Sequence, residues 1–130
     1  MRRVGLDTCV VLRLLVGEPV DQAKRAYLYL EECYFAGISV YVSDLVVAEA
    51  YHALCYHYEV PVKEAVGSLA DFLASHMITP CGHALTVLRE YRGTGAGLVD
   101  RLIRMDLLDD VHEVVTFDKQ FSRLSSVKKL

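Results

Sequence analysis

The chain has 130 residues, of which 14 are Lys or Arg and 17 are Asp or Glu, with a formal net charge of −3 and a hydrophobic fraction of 53%. This length fits one domain, residues 1–130, with enough chain to bury a core. The charge excludes a protein that coats nucleic acid by bulk positive charge. No apolar run approaches the roughly 18 uncharged residues of a membrane helix, so no membrane association is expected. Arg2 and Arg3 precede Val10-Val11-Leu12, but Asp7 and Arg13 interrupt that stretch and no small-residue cleavage site follows. Cys9, Cys33, Cys55 and Cys81 form no CxxC pair, which excludes a zinc ribbon and predicts a reduced, cytoplasmic chain with buried thiols.

In chain order, residues 3–6 read as a first strand ending at Asp7, and residues 9–16 as a helix stopped by Gly17. Pro19 suits the first turn of a second helix, in which Val20, Ala23, Tyr27, Leu30 and Tyr34 form one apolar stripe. That stripe is most simply core, with part of it available to an interface because Tyr is enriched there. Residues 38–42 are β-branched and aromatic, a second strand. Ser43 is a good N-cap for a third helix over 44–58. Pro61 opens a fourth helix through residue 75, and a short strand is expected at 77–79. A fifth helix covers 82–91, a glycine-rich loop 93–97 and a sixth helix 98–108. Residues 113–116 read as a strand ending at Asp118, with Val127 in a final edge strand. Strands alternating with helices argue for βαβ units and a parallel sheet covered on both faces.

Four acids stand at the ends of apolar runs or inside them: Asp7, Glu49, Asp100 and Asp118. Carboxylates are costly to bury. Asp7 and Asp118 each follow a strand, where sites form in open parallel α/β sheets. Asp7 is equally suited to capping the next helix. Glu49 has Leu45, Val46, His52 and Ala53 as helical neighbours, so it is expected to point inward, with no Lys or Arg partner in its helix. Asp100 falls in the first turn of its helix, with Ile103 and Leu107 on the same face. A solvated acid favoured by the helix dipole is the simple reading of that position. Four like charges in one pocket raise one another's pKa, and Mg²⁺ or Mn²⁺, which prefer carboxylate oxygens and water, removes that conflict.

The motifs around these acids resemble those of a PIN domain, specifically a VapC-type toxin ribonuclease. Val4-Gly5-Leu6-Asp7-Thr8-Cys9-Val10-Val11-Leu12 is similar to the family's opening segment, and Ser43-Asp44-Leu45-Val46-Val47-Ala48-Glu49 to its second acidic motif. Val99-Asp100-Arg101-Leu102-Ile103 is similar to the third, and Val114-Val115-Thr116-Phe117-Asp118-Lys119-Gln120-Phe121 to the last. The match is ordered and spans essentially the whole chain. It departs from the family at Cys9, often Asn or Ser, at Arg101, bulkier than the usual small residue, and at Leu108-Asp109-Asp110, where Gly is common.

The resemblance implies a three-layer α/β/α sandwich around a central, mostly parallel sheet. It implies a metal-dependent endoribonuclease, the toxin of a type II toxin–antitoxin pair, that hydrolyses RNA. Asp7, Glu49, Asp100 and Asp118 would hold Mg²⁺ or Mn²⁺, and Thr116 would hydrogen-bond a neighbouring acid. It also implies a small antitoxin partner and a homodimer. Arg13, Arg101, Arg104 and Lys119 are candidates for phosphate contacts, although ordinary surface charge is the simpler reading of each.

Two enzyme alternatives fit less well. A phosphotransferase of the HAD type resembles Asp-x-Asp after its first strand, whereas Thr8 and Cys9 follow Asp7. A receiver domain has no place for the Glu49 helix. The remaining alternative is a catalytically weak PIN scaffold that binds RNA or a protein. His52, His57, His76, His83 and His112 show no ligand spacing and read as structural. The loop at 93–97 lacks the Lys-Ser/Thr ending of a P-loop.

Overall fold

A computed structural model describes residues 2–130. The chain begins with strand β1 (Arg3–Gly5), followed by helices α1 (Thr8–Val16) and α2 (Val20–Phe35) and strand β2 (Ser39–Tyr41). Helices α3 (Asp44–Tyr56), α4 (Val62–Ala74), α5 (Ala84–Glu90) and α6 (Leu98–Leu108) come next. Strand β3 (Val114–Thr116), a 3-10 turn (Phe121–Arg123) and strand β4 (Val127–Lys129) complete the order. The protein is therefore mixed α/β, and most element ends lie within one or two residues of the sequence expectation, the usual uncertainty of helix and strand termini.

The strands pair two by two. β1 runs parallel to β2, with Val4 opposite Val40. β3 runs parallel to β4, with Val115 opposite Lys128. Among the described residues no ladder joins the two pairs, so one continuous central sheet is not formed. The strand expected at 77–79 is also absent. Thr79 makes a single sheet-like bond, its N–H donating to the Val40 carbonyl at 2.7 Å. Pro80 has no N–H, and Ile78 N–H turns back to the Ser75 carbonyl, so the ladder cannot extend.

Local chemistry sets the helix ends. The Asp7 carboxylate accepts from Val10 N–H at 3.1 Å and caps α1, while Gly17 ends it in the left-handed region at φ 82°. The Ser43 hydroxyl accepts from Val46 N–H and caps α3. The Asp44 carboxylate accepts from the N–H groups of both His83 and Ala84 and so anchors the start of α5. Gly82 is required beside it, because an added Cβ would lie 2.5 Å from Asp44 Oδ1 in a backbone at φ +61°.

One core joins β1, β2 and all six helices, with Val11, Val47, Ala50, Ala65 and Leu69 at 0% exposure. Each fully buried aliphatic side chain of this kind contributes roughly 1.5–3 kcal/mol. α2 does not deliver the expected stripe. Leu30 and Cys33 are its buried residues, whereas Val20, Tyr27 and Tyr34 are exposed. The helix leans on the core through one narrow line and leaves its aromatics outside. Of the four cysteines, all free, Cys33 is buried and Cys55 half-buried, while Cys9 and Cys81 are exposed, so burial holds only for part of the set.

Candidate functional site

Asp7 sits at the turn between β1 and α1, exposed, with Oδ1 committed to the helix cap. Both sequence readings of this residue thus share one side chain, because Oδ2 has no hydrogen bond among the described residues.

Glu49 departs from expectation. It is exposed rather than inward-pointing. Its three apolar helical neighbours do not enclose it, since Leu45 is itself 72% exposed. The missing Lys or Arg partner has a simple explanation, because the Thr8 hydroxyl donates to Glu49 Oε1 at 3.0 Å. That bond ties the first turn of α1 to the middle of α3. Thr8 was not among the residues selected from the sequence. Its signal there was only adjacency to Asp7.

Asp100 lies in the first turn of α6 and is half-buried. Its carboxyl is held above the ordinary carboxylate range, first by burial and then by the charge of Asp118. Ile103 and Leu107, on the same helix face, are exposed. Asp118 follows β3 and is exposed, with Oδ1 accepting from Phe121 N–H at 2.9 Å. The Thr116 hydroxyl accepts from the Asp118 backbone N–H at 3.0 Å. Thr116 therefore shapes the turn that presents Asp118, rather than donating to a carboxylate as the sequence suggests.

Thr8, next to Asp7 in the chain, hydrogen-bonds Glu49, and the Asp118 charge acts on Asp100. As the side chains stand, no three Asp, Glu, His or Cys among the described residues gather into a group able to hold a metal. The donor chemistry still suits a hard cation. Asp7, Glu49 and Asp118 each use one oxygen for a structural hydrogen bond and keep the other without one among the described residues.

Two cations proposed for phosphate contact are occupied elsewhere. The Arg101 guanidinium donates to the Ala96 and Thr94 carbonyls and stacks over the Tyr91 ring at 5.3 Å. Arg104 donates to the Ser125 carbonyl and hydroxyl. Both fasten loops to α6. His83 is structural, as expected, with Nε2 2.8 Å from Asp109 Oδ2. Asp109, just past the end of α6, is the partner in that pair.

No helix among the described residues is long and apolar enough to cross a membrane. Comparison of the chain with protein-family models, curated proteins and solved structures finds no significant match in any of the three.

Proposed function

We propose that the protein is a metal-dependent endoribonuclease of PIN type, acting as the toxin of a type II toxin–antitoxin pair in the cytoplasm. The single observation that carries this reading is the half-buried carboxyl of Asp100 in the first turn of α6, within reach of the Asp118 charge. A carboxyl whose ionisation is opposed by burial and by a neighbouring carboxylate is poised for a divalent cation, which favours its charged form. The second support is the ordered resemblance of the four acidic motifs.

On this reading Asp100 and Asp118 with Asp7 hold Mg²⁺ or Mn²⁺, and Glu49 joins them directly or through water. When bound, the metal supplies an activated water and neutralises charge on the phosphate. The chain's own residues do the positioning. Thr8 fixes the Glu49 carboxylate against α1, and the Thr116 and Phe121 bonds aim Asp118. Where Glu49 or Asp118 reaches the ion through water, its unengaged oxygen orients the attacking water. The finer fold that accompanies this proposal is the three-layer sandwich, with the two strand pairs side by side in its middle. The partners are an RNA substrate, a cognate antitoxin covering the acidic residues, and a second copy of the chain.

The test incubates the purified protein with structured RNA and Mn²⁺, with Asp7→Asn and EDTA as controls. Cleavage lost in both controls is expected, and cleavage that survives both ends the proposal. One observation favours the alternative, a scaffold without catalysis: among the described residues no three acids converge. Isothermal titration separates the two, since a nuclease binds Mn²⁺ at millimolar concentration or below and the scaffold does not.

A further inference from the structure

A groove of about 410 Å³ runs between α1 and α2, lined in part by Gly5, Cys9, Arg13, Gln22, Arg25 and Tyr29. Gly5 and Cys9 flank the Asp7 turn in the chain, so one end of the groove borders that turn. Arg13 crosses from α1, its Nε donating to Gln22 Oε1 at 2.7 Å. A neutral acceptor fixes the guanidinium without cancelling its charge, and its two terminal nitrogens have no hydrogen bond among the described residues. Arg25 has neither an ion pair nor a hydrogen bond among the described residues, where His83–Asp109 is the only ion pair. Asp21, one turn earlier on α2, does not close on it.

Tyr29 is 42% exposed on the same groove. Cys33, one turn on along α2, and Arg2 lie close enough to act on its hydroxyl. In a chain of net charge −3, uncancelled guanidiniums around an exposed ring form an unusual local environment. Guanidinium forks suit phosphate oxygens, and aromatic faces stack with bases of any identity. An acidic peptide would use the arginines but not the ring.

We propose that the α1–α2 groove is the binding track for a single-stranded RNA segment, with Arg13 and Arg25 taking phosphates and Tyr29 stacking a base next to Asp7. The proposal rests on the nuclease reading for its substrate class and adds where the strand lies.

The test is fluorescence anisotropy of the full chain with a labelled single-stranded RNA oligonucleotide in EDTA, titrated against salt. Arg25→Gln is expected to weaken binding about five-fold to ten-fold and to lower the salt slope by about 0.7, the signature of one lost phosphate contact. Tyr29→Leu is expected to weaken binding at least about five-fold with the slope unchanged. Lys63→Gln, on α4, should bind as wild type, and circular dichroism checks that each variant folds. Wild-type affinity in Arg25→Gln overturns the phosphate track, and wild-type affinity in Tyr29→Leu overturns the stacking. Polyglutamate competing as well as RNA assigns the groove to an acidic protein segment instead. Because the measurement uses EDTA, it separates the two proposals. Groove variants that weaken binding while wild type fails to cleave with Mn²⁺ leave the track and remove the nuclease. Cleavage with unaffected binding does the reverse.

Discussion

The four acids stand on unequal foundations. Asp7 and Glu49 project from α1 and α3, whose inner faces carry Val11, Val47, Ala50 and Leu54 in the main core. Asp118 projects from the β3–β4 unit, whose buried residues Val114 and Phe121 lie outside that core cluster. On β3 only Val114 is buried, and Val115 and Phe117 are exposed. Asp100 stands with Asp7 and Glu49, on α6, whose Leu98 and Leu102 belong to the same core, so three of the acids are placed by dense packing and Asp118 by a few backbone bonds and one phenylalanine. Stability within a domain follows such differences in apolar contact. Asp118 therefore stands on the yielding part of the fold.

The most severe way to break this contrast is in the packing. Leu69→Ala, at 0% exposure, is expected to cost about 3 kcal/mol of global stability in denaturant unfolding. Phe121→Ala should instead free the C-terminal unit alone. Hydrogen exchange would then quicken about ten-fold or more at the amides of Val114 and Leu130, which bond to Ser126 and Thr116, while those of α3 and α4 keep their protection. Uniform loss of protection in both variants would make the two regions one cooperative unit.

A smaller effect comes from pH. Asp100 binds its proton more tightly folded than unfolded. Its contribution to stability is therefore greatest below the unfolded carboxylate's pKa and falls as pH rises through the raised folded value. His83 is also raised, chiefly by its hydrogen bond to Asp109, with the Asp44 and Asp106 charges adding to it. Its contribution is fully present below the unfolded imidazole's pKa and is lost as pH rises through the folded one. Thermal melts across pH should show both declines. Asp100→Asn should remove the acidic one and raise metal-free stability by up to about 1 kcal/mol, since partial exposure screens the charge. His83→Gln should remove only the decline near neutrality. A wild-type profile in Asp100→Asn would mean that its charge opposes nothing.

The smallest effects sharpen the comparison at single hydrogen bonds. Thr8→Val removes the donor to Glu49 across two core-anchored helices and should cost about 1 kcal/mol. Thr116→Val removes the acceptor for Asp118 N–H in an exposed turn, where water replaces it, and should cost only a few tenths of a kcal/mol. Equal costs by chemical denaturation would erase the difference between the two regions.

Much of this was legible in the residues. Ser43 and Gly17 mark helix ends because capping is a local act of one side chain or one backbone angle. Asp7 was legible as a cap for the same reason. Glu49 was not, because apolar neighbours three and four residues away describe a helix face without saying what covers it. The Val20–Tyr34 stripe failed similarly: its period is real, but α2 turns only Leu30 and Cys33 into the core. Arg101 and Arg104 were legible as cations near acids, but their carbonyl partners come from loops that no spacing rule places.

The sequence by itself determined the alternation of helices and strands, the element boundaries and the four acids at their ends. These depend on propensity, periodicity and caps, which act over a few residues. Tertiary structure alone decided that the strands pair two by two, that Thr8 reaches Glu49, and that the Asp118 charge bears on Asp100. Each of those joins segments distant in the chain, and such contacts form only when packing of the whole core sets the distance between them.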